Sequence, residues 1–187
     1  MDKRISIGID MDSTLNNLNE AWIECYNKEY GDILTVKDVK EWEIHKFLKP
    51  ECGKRIYEYL YSKDFFYNLD IQPHAKEVTE WLSQYADLYI PTAYSYQTCL
   101  DKGRWQLKHL PHIPIENLIF INNKSLLRLD YLLDDGLHNA NGFNGKFVVF
   151  DNGYPYNQDA EDKFDRVYDW LDAQQYFENE FKKIGIL

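Results

Sequence analysis

"ISIGIDMDST" (residues 5–14) sets five mostly apolar residues directly ahead of two aspartates, Asp10 and Asp12. The run is short, carries three isoleucines and stops at the acidic pair. That suits a strand buried on both faces of a parallel sheet. Packing gains nothing from two carboxylates at such a point. The pair is either a solvated strand end or one edge of a metal and phosphate site, and the remaining strands have to decide.

Four further runs of the same kind follow: "DLYIPT" (87–92), "NLIFIN" (117–122), "DYLLD" (130–134) and "KFVVFD" (146–151). Helical patterns lie around them. Residues 74–85 space Val78, Trp81, Leu82 and Tyr85 by threes and fours. Residues 95–110 carry Leu100, Trp105 and Leu107, weakened by Gly103. Residues 165–184 align Val167, Trp170, Leu171, Tyr176, Phe177 and Phe181 on one helical face. Strands alternating with helices predict an α/β fold, a Rossmann-like parallel sheet flanked by helices and wound by right-handed crossovers.

Residues 16–72 interrupt the alternation. "LNEAWIECYNKEYG" (18–31) reads as an amphipathic helix stopped by Gly31, and 36–48 and 50–62 read as two more helical stretches. The expectation is a small helical cap of residues 16–72 over the carboxyl edge of a core made from 1–15 and 73–187. The polar, turn-rich loop "DNGYPYNQDAED" (151–162) reads as a simple connection.

Composition narrows the function. With 187 residues, 44% of them hydrophobic and 16% aromatic, the chain can bury one full core. A formal net charge of −10 argues against nucleic acid and against anionic membranes as partners. Cys25, Cys52 and Cys99 are unclustered, as expected of reduced thiols. No apolar run approaches the ~18 residues of a membrane span, so a cytoplasmic location is expected.

Ligands of open parallel sheets bind beyond the carboxyl ends of the strands. The strand tips here carry Asp10 and Asp12, then Thr92, then Lys124, then Asp134 and Asp135. Each is ordinary alone: a DxD is commonly a solvated turn, a single Thr is commonly structural, and Lys124 has the look of a loop lysine. Their joint placement after four separate strands is the signal. Four converging carboxylates repel one another, and a divalent cation resolves the conflict. Oxygen donors without a His or Cys cluster favour Mg2+ ahead of Ca2+. The set suits phosphoryl transfer. Asp10 can attack phosphorus, Asp12 can protonate the leaving alkoxide and later activate water, and Thr92 and Lys124 can hold phosphate oxygens.

The order Asp-x-Asp, Thr, Lys, Asp-Asp resembles the haloacid dehalogenase-type phosphatase superfamily, with "DMDST", "IPTA", Lys124 and "LLDD" standing for its four motifs. The insertion at 16–72 resembles that superfamily's type-1 cap, and the interval from Thr92 to Lys124 is too short for a type-2 cap. Within the superfamily, "DMD", "KDFFYNLDIQPHAKEVTEWL" (63–82) and "NNKSLLRLDYLLDD" (122–135) resemble the 5'(3')-deoxyribonucleotidase family, across residues 5 to about 140. The resemblance implies a Mg2+-dependent phosphomonoesterase that acts on a deoxynucleoside monophosphate through an aspartyl-phosphate; the sequence leaves both a monomer and a homodimer open. The resemblance implies Asp10 as nucleophile and Asp12 as acid/base. It implies a metal held by the Asp10 side chain, the Asp12 carbonyl and Asp135, with Asp134 behind them or in place of Asp135. Thr92 and Lys124 match the phosphate positions. Ser13–Thr14 stand where the family commonly has Gly-Val, Ala93 where a Ser is common, and Gly136 where a basic residue is common.

For a base to stack on, the cap offers Trp42, Phe47, Phe65 and Phe66, all of which can equally pack its helices together. Lys46, Lys49, Lys54 and Arg55 make the cap locally basic. The five histidines show no ligand spacing and are expected as surface or core residues. A phosphatase for another small phosphorylated metabolite is the alternative. A receiver domain places its acidic pair first and its accepting Asp later, the reverse of this order, and a silent binding module would not need both Asp10 and Asp12.

Overall fold

The computed structural model describes residues 4–187 and, at 159–162, the backbone alone; residues 1–3 of the expected core lie outside the described residues. Six strands, β1 (Ile5–Ile9), β2 (Ala86–Thr92), β3 (Leu118–Phe120), β4 (Tyr131–Asp134), β5 (Lys146–Phe150) and β6 (Asp165–Val167), form one sheet in the order β3-β2-β1-β4-β5-β6. Every pairing is parallel. The chain moves outward from β1 to β2 and β3, then crosses back to β4 on the other side of β1. The β1/β4 junction is therefore the topological switch point, where crevices open in such sheets.

Side chains alternate between the two faces of the sheet. Leu133, Val148 and Phe150 enter the main core with Ile7, Ile9, Leu88 and Ile90. Their neighbours Leu132, Phe147 and Val149 form a smaller cluster with Leu137, Phe143 and Phe164 on the opposite face. Gly8 in the middle of β1 is a close approach: a Cβ there would stand 2.6 Å from Leu129 Cδ1.

Among the described residues, four α-helices accompany the strands: α1 (Leu18–Tyr30), α2 (Ala75–Leu82), α3 (Cys99–His109) and α4 (Trp170–Lys183). Helix α1 buries Leu18, Trp22, Ile23 and Tyr26, and ends at Gly31 in the left-handed conformation (φ 58°), whose N–H reaches the Asn27 carbonyl. Helix α4 is capped by Asp169, whose carboxylate accepts from the Asp172 N–H at 2.8 Å, and buries Trp170, Ala173, Phe177 and Phe181. Trp170 Nε1 donates to the Thr14 carbonyl at 3.0 Å, fixing the turn that follows β1.

Three expectations need correction. The stretch 165–184 is not one helix: 165–167 is β6, so Val167 belongs to the sheet core, and the helix begins only at Trp170. The helix expected over 95–110 begins at Cys99, because Thr98 turns back on Ser95. Residues 36–62 form no α-helix. They make short 3-10 segments at Val36–Asp38, Ile44–Phe47 and Gly53–Tyr61. Aromatic and β-branched residues crowd those segments, and they pack on α1 to form a separate apolar cluster around Trp22, Tyr26, Val39, Ile44 and Ile56. The chain leaves and re-enters the sheet region through one antiparallel bridge, Asn16 to Ile71.

Candidate active site

The first strand ends at Ile9, and Asp10 follows with its N–H on the Leu133 carbonyl at 2.9 Å. That bond carries the β1/β4 pairing one step beyond the strand and sets Asp10 beside the end of β4, where Asp134 and Asp135 lie. All three carboxylates are buried, and each offers an oxygen within 4.8 Å of the others. Lys124 comes from the turn after β3. Its ammonium is buried and donates to Asp10 Oδ1 at 2.5 Å and to Asp134 Oδ2 at 2.6 Å. The structure thus brings Asp10, Lys124, Asp134 and Asp135 together.

The two members of the acidic pair at 134–135 differ in their partners. Asp134 has full acceptance: Lys124, the Gly136 N–H at 2.8 Å, and Asn139 Nδ2 at 3.0 and 3.1 Å. Asp135 accepts from the Tyr156 hydroxyl. Asp134 is thereby committed to holding Lys124, which leaves Asp135 as the member with spare oxygen capacity. A Cβ at Gly136 would lie 2.8 Å from His138 Cε1 and 3.2 Å from Asn139 Nδ2, so a larger residue here requires those side chains to shift.

Burial pushes Asp10 up to about 7, with Asp134 and Asp12 adding to the rise and Lys124 opposing it. Burial likewise raises Asp135 well above the ordinary carboxylate range, with Asp10 and Asp134 adding to it. Burial works against the Lys124 ammonium, but Asp10 and Asp134 outweigh it and hold the charge. This acid-rich, oxygen-only donor set fits a hard divalent cation.

Asp12 is half-buried and clamped from two sides. Lys102 donates to its Oδ2 at 2.5 Å, and Asn16 Nδ2 to its Oδ1 at 3.2 Å. Ser13, just beyond, sits at φ 64°, a left-handed conformation that favours the glycine common at this position. Lys102 is one residue that sequence reasoning missed. It lies on the inner face of α3, almost fully buried, and its ammonium also contacts Thr92 Oγ1 at 2.8 Å and the Ala93 carbonyl at 2.7 Å. The available signal was a lysine three residues before the core Trp105, on the same helical face.

Thr92 is placed differently from expectation. Its buried hydroxyl is the partner of Lys102, and Ala93, not Thr92, reaches the cavity. The cavity above the carboxylates measures about 260 Å³. Strand-tip residues form its floor, and Trp22, Val39, Trp42, Ile44, Tyr57 and Leu60 form most of its wall. Of the four aromatics proposed for the cap, Trp42 alone lines it. Phe47 packs into the cluster around Trp22. Phe65 and Phe66 meet edge to face and pack on the main core, where Phe66 also lies under the Lys102 ammonium. All three are spent on packing.

Two further readings are overturned. The loop after β5 is more than a connection: Tyr156 lines the cavity, and Asp151 and Asn157 brace it through Arg166. His138 is neither a plain surface nor a core residue, because it lines the mouth against Trp42, with ring centroids 4.5 Å apart. Turn residues such as these carry no periodic pattern, so a linear reading cannot see what they face.

The sequence matches, over residues 3–181, the family described as "5' nucleotidase, deoxy (Pyrimidine), cytosolic type C protein". It is 40% identical over 174 residues to the 5'(3')-deoxyribonucleotidase of Clostridium acetobutylicum, covering 93% of this chain and 95% of that one. Among solved structures, a haloacid dehalogenase-like hydrolase from Streptococcus pneumoniae superposes with a TM-score of 0.61 at 17% identity, over 95% and 100% of the two chains. A haloacid dehalogenase-type hydrolase from Bacillus subtilis, determined bound to magnesium, superposes with a TM-score of 0.58 at 12% identity, over 93% and 99%. Both structures share the fold. Among the described residues, no helix is long and apolar enough to cross a membrane.

Proposed function

Since this chain belongs to the family of 5' nucleotidases, deoxy (pyrimidine), cytosolic type C, we propose that it is a Mg2+-dependent phosphatase of deoxynucleoside monophosphates that works through an aspartyl-phosphate. Hydrolysis of phosphoric monoesters is the activity of the family. The metal, the covalent step and the deoxynucleotide preference are our reading. One observation carries it: three buried carboxylates and a buried lysine converge at the base of a cavity whose wall is aromatic and apolar.

In this reading Asp10, Asp135 and the Asp12 carbonyl would hold the cation, with Asp134 behind them. When bound, the ion supplies positive charge to the phosphate oxygens and satisfies the buried carboxylates. Asp10 attacks phosphorus, and its carboxylate oxygen forms the new P–O bond as the ester P–O bond breaks. Asp12, as its acid, delivers a proton to the departing alkoxide, then takes one from the water whose oxygen bonds to phosphorus as the Asp10–phosphorus bond breaks, which releases inorganic phosphate and restores the Asp10 carboxylate and the Asp12 acid. Lys124 places its charge beside the transferring group. Lys102, held by Thr92, orients Asp12; Thr92 serves the phosphate through that lysine. The wall, with Trp42 at its rim, takes the nucleoside. Segment 16–72 acts as the cap on a core of 4–15 and 73–187, its separate apolar cluster supporting that division. A cytoplasmic location belongs to the same reading.

Phosphate release, measured with Mg2+ across deoxy- and ribonucleoside monophosphates and sugar phosphates, tests it. The expected result is turnover of deoxynucleotides that chelation abolishes and that Asp10→Asn lowers at least about 10^4-fold. Sugar phosphates outperforming every nucleotide would overturn the substrate reading. Activity persisting in Asp10→Asn would overturn the covalent step.

A further inference from the structure

Asp134 and Asp135 are neighbours, both buried, and both receive a hydrogen bond from a side chain distant in sequence. Their donors differ in kind. Asp134 meets the Lys124 ammonium, which cancels its charge. Asp135 meets the Tyr156 hydroxyl, a neutral donor. A phenol fixes a carboxylate oxygen in place while leaving its negative charge available to a cation.

The loop carrying Tyr156 is built to reach this position. Asp151 pairs with Arg166 at 2.5 Å, and Arg166 donates to the Asn157 carbonyl at 3.0 Å. Asn157 Nδ2 donates to the Phe150 carbonyl at 3.1 Å and, over 3.4 Å, to the Asp135 carbonyl. Two successive loop residues therefore address Asp135, one at its backbone and one at its carboxylate. On its other side the Tyr156 hydroxyl accepts from Asn19 Nδ2 at 2.8 Å, in the first turn of α1. Tyr154 stacks on the Tyr156 ring, with centroids 5.3 Å apart and planes inclined by 12°, and donates to Glu20 at 2.9 Å.

We propose that Tyr156 is a positioning residue that orients Asp135 for the divalent cation and registers the start of α1 against that carboxylate. The inference rests on the cation reading given above. Its consequence is a coupling: the group that aims a metal ligand also ties down the beginning of the segment that walls the cavity.

The experiment compares Tyr156→Phe with Tyr154→Phe. Each variant keeps its ring and loses one hydroxyl bond to a carboxylate, but only the first loses the bond to Asp135. The readout is Mn2+ affinity of the substrate-free protein, by titration calorimetry and electron paramagnetic resonance, with melting of the chelated protein as control. Second-sphere partners of metal ligands typically account for 10–100-fold in affinity. Tyr156→Phe is expected to bind Mn2+ about tenfold more weakly or worse, with its chelated melting temperature within about 5 °C of wild type. Tyr154→Phe is expected to stay within about twofold. Unchanged Mn2+ affinity in Tyr156→Phe, or an equal loss in Tyr154→Phe, would overturn the positioning role and leave the cation reading standing. A wild-type protein that binds no Mn2+ would overturn both.

Discussion

Asp10 and Trp42 face one cavity, yet the chain supports them in opposite ways. Asp10 sits at a strand end in the middle of a six-stranded sheet, buried, with its oxygen bonded to a buried lysine. Trp42 lies in an irregular stretch between two 3-10 segments, is 56% exposed, and touches His138 and Tyr156 only by ring edges. The floor is a lattice of charge whose members have few alternative positions. The wall is apolar surface on short, locally irregular elements. Chemistry that needs sub-ångström placement sits on the sheet, while shape that selects a ligand sits where backbone changes disturb little else.

Removing charge from the floor should cost far more than removing surface from the wall. Lys124→Met leaves Asp10 and Asp134 buried without their cation, and is expected to lower unfolding free energy by roughly 3–5 kcal/mol. Urea denaturation of the chelated protein measures this. A variant as stable as wild type would show that the floor is not held by charge.

The floor should also show its need for a cation through pH. Asp10 ionises near 7 in the folded protein, against 3.8 ordinarily. Between those values the folded state binds more protons than the unfolded one. Its stability should therefore fall as pH rises from about 4 to about 7. Raised Asp135 adds in the same direction. With Mg2+ at 100 times its dissociation constant, stability should rise by about 2.7 kcal/mol and the slope should flatten. Melting temperatures across pH with and without Mg2+ check this, and identical slopes would count against a cation at the carboxylates.

At the wall, Trp42→Ala is expected to change stability by less than about 1 kcal/mol. It should raise KM a few-fold, in line with an aromatic contact worth about 1 kcal/mol, while kcat stays near wild type. A large fall in kcat with KM unchanged would mean that the wall takes part in the chemistry, and the contrast between the two regions would dissolve.

The floor was the legible region. Parallel strands buried on both faces read as uninterrupted apolar runs, and the ends of three of them stand out because an aspartate stops the run: Asp10, Asp134 and Asp151. The wall was less legible. Helical periodicity picked out α1 but also suggested helices over 36–62, where crowding by aromatic and β-branched residues yields 3-10 turns. Phe65 and Phe66 looked like base-stacking candidates by type, and only their packing on the core rules them out of the wall. Strand β6 was hidden because three residues ahead of a strong helix pattern were absorbed into it.

Local sequence alone determined the parallel α/β fold and the acidic, lysine-bearing strand tips, because backbone pairing and burial act on runs of adjacent residues. Tertiary structure decided how those tips are partnered. The pairing of Lys102 with Asp12 and of Tyr156 with Asp135 joins residues 90 and 21 positions apart. No local propensity encodes such contacts; they arise when crossovers around the sheet bring α3 and the loop after β5 to the same edge.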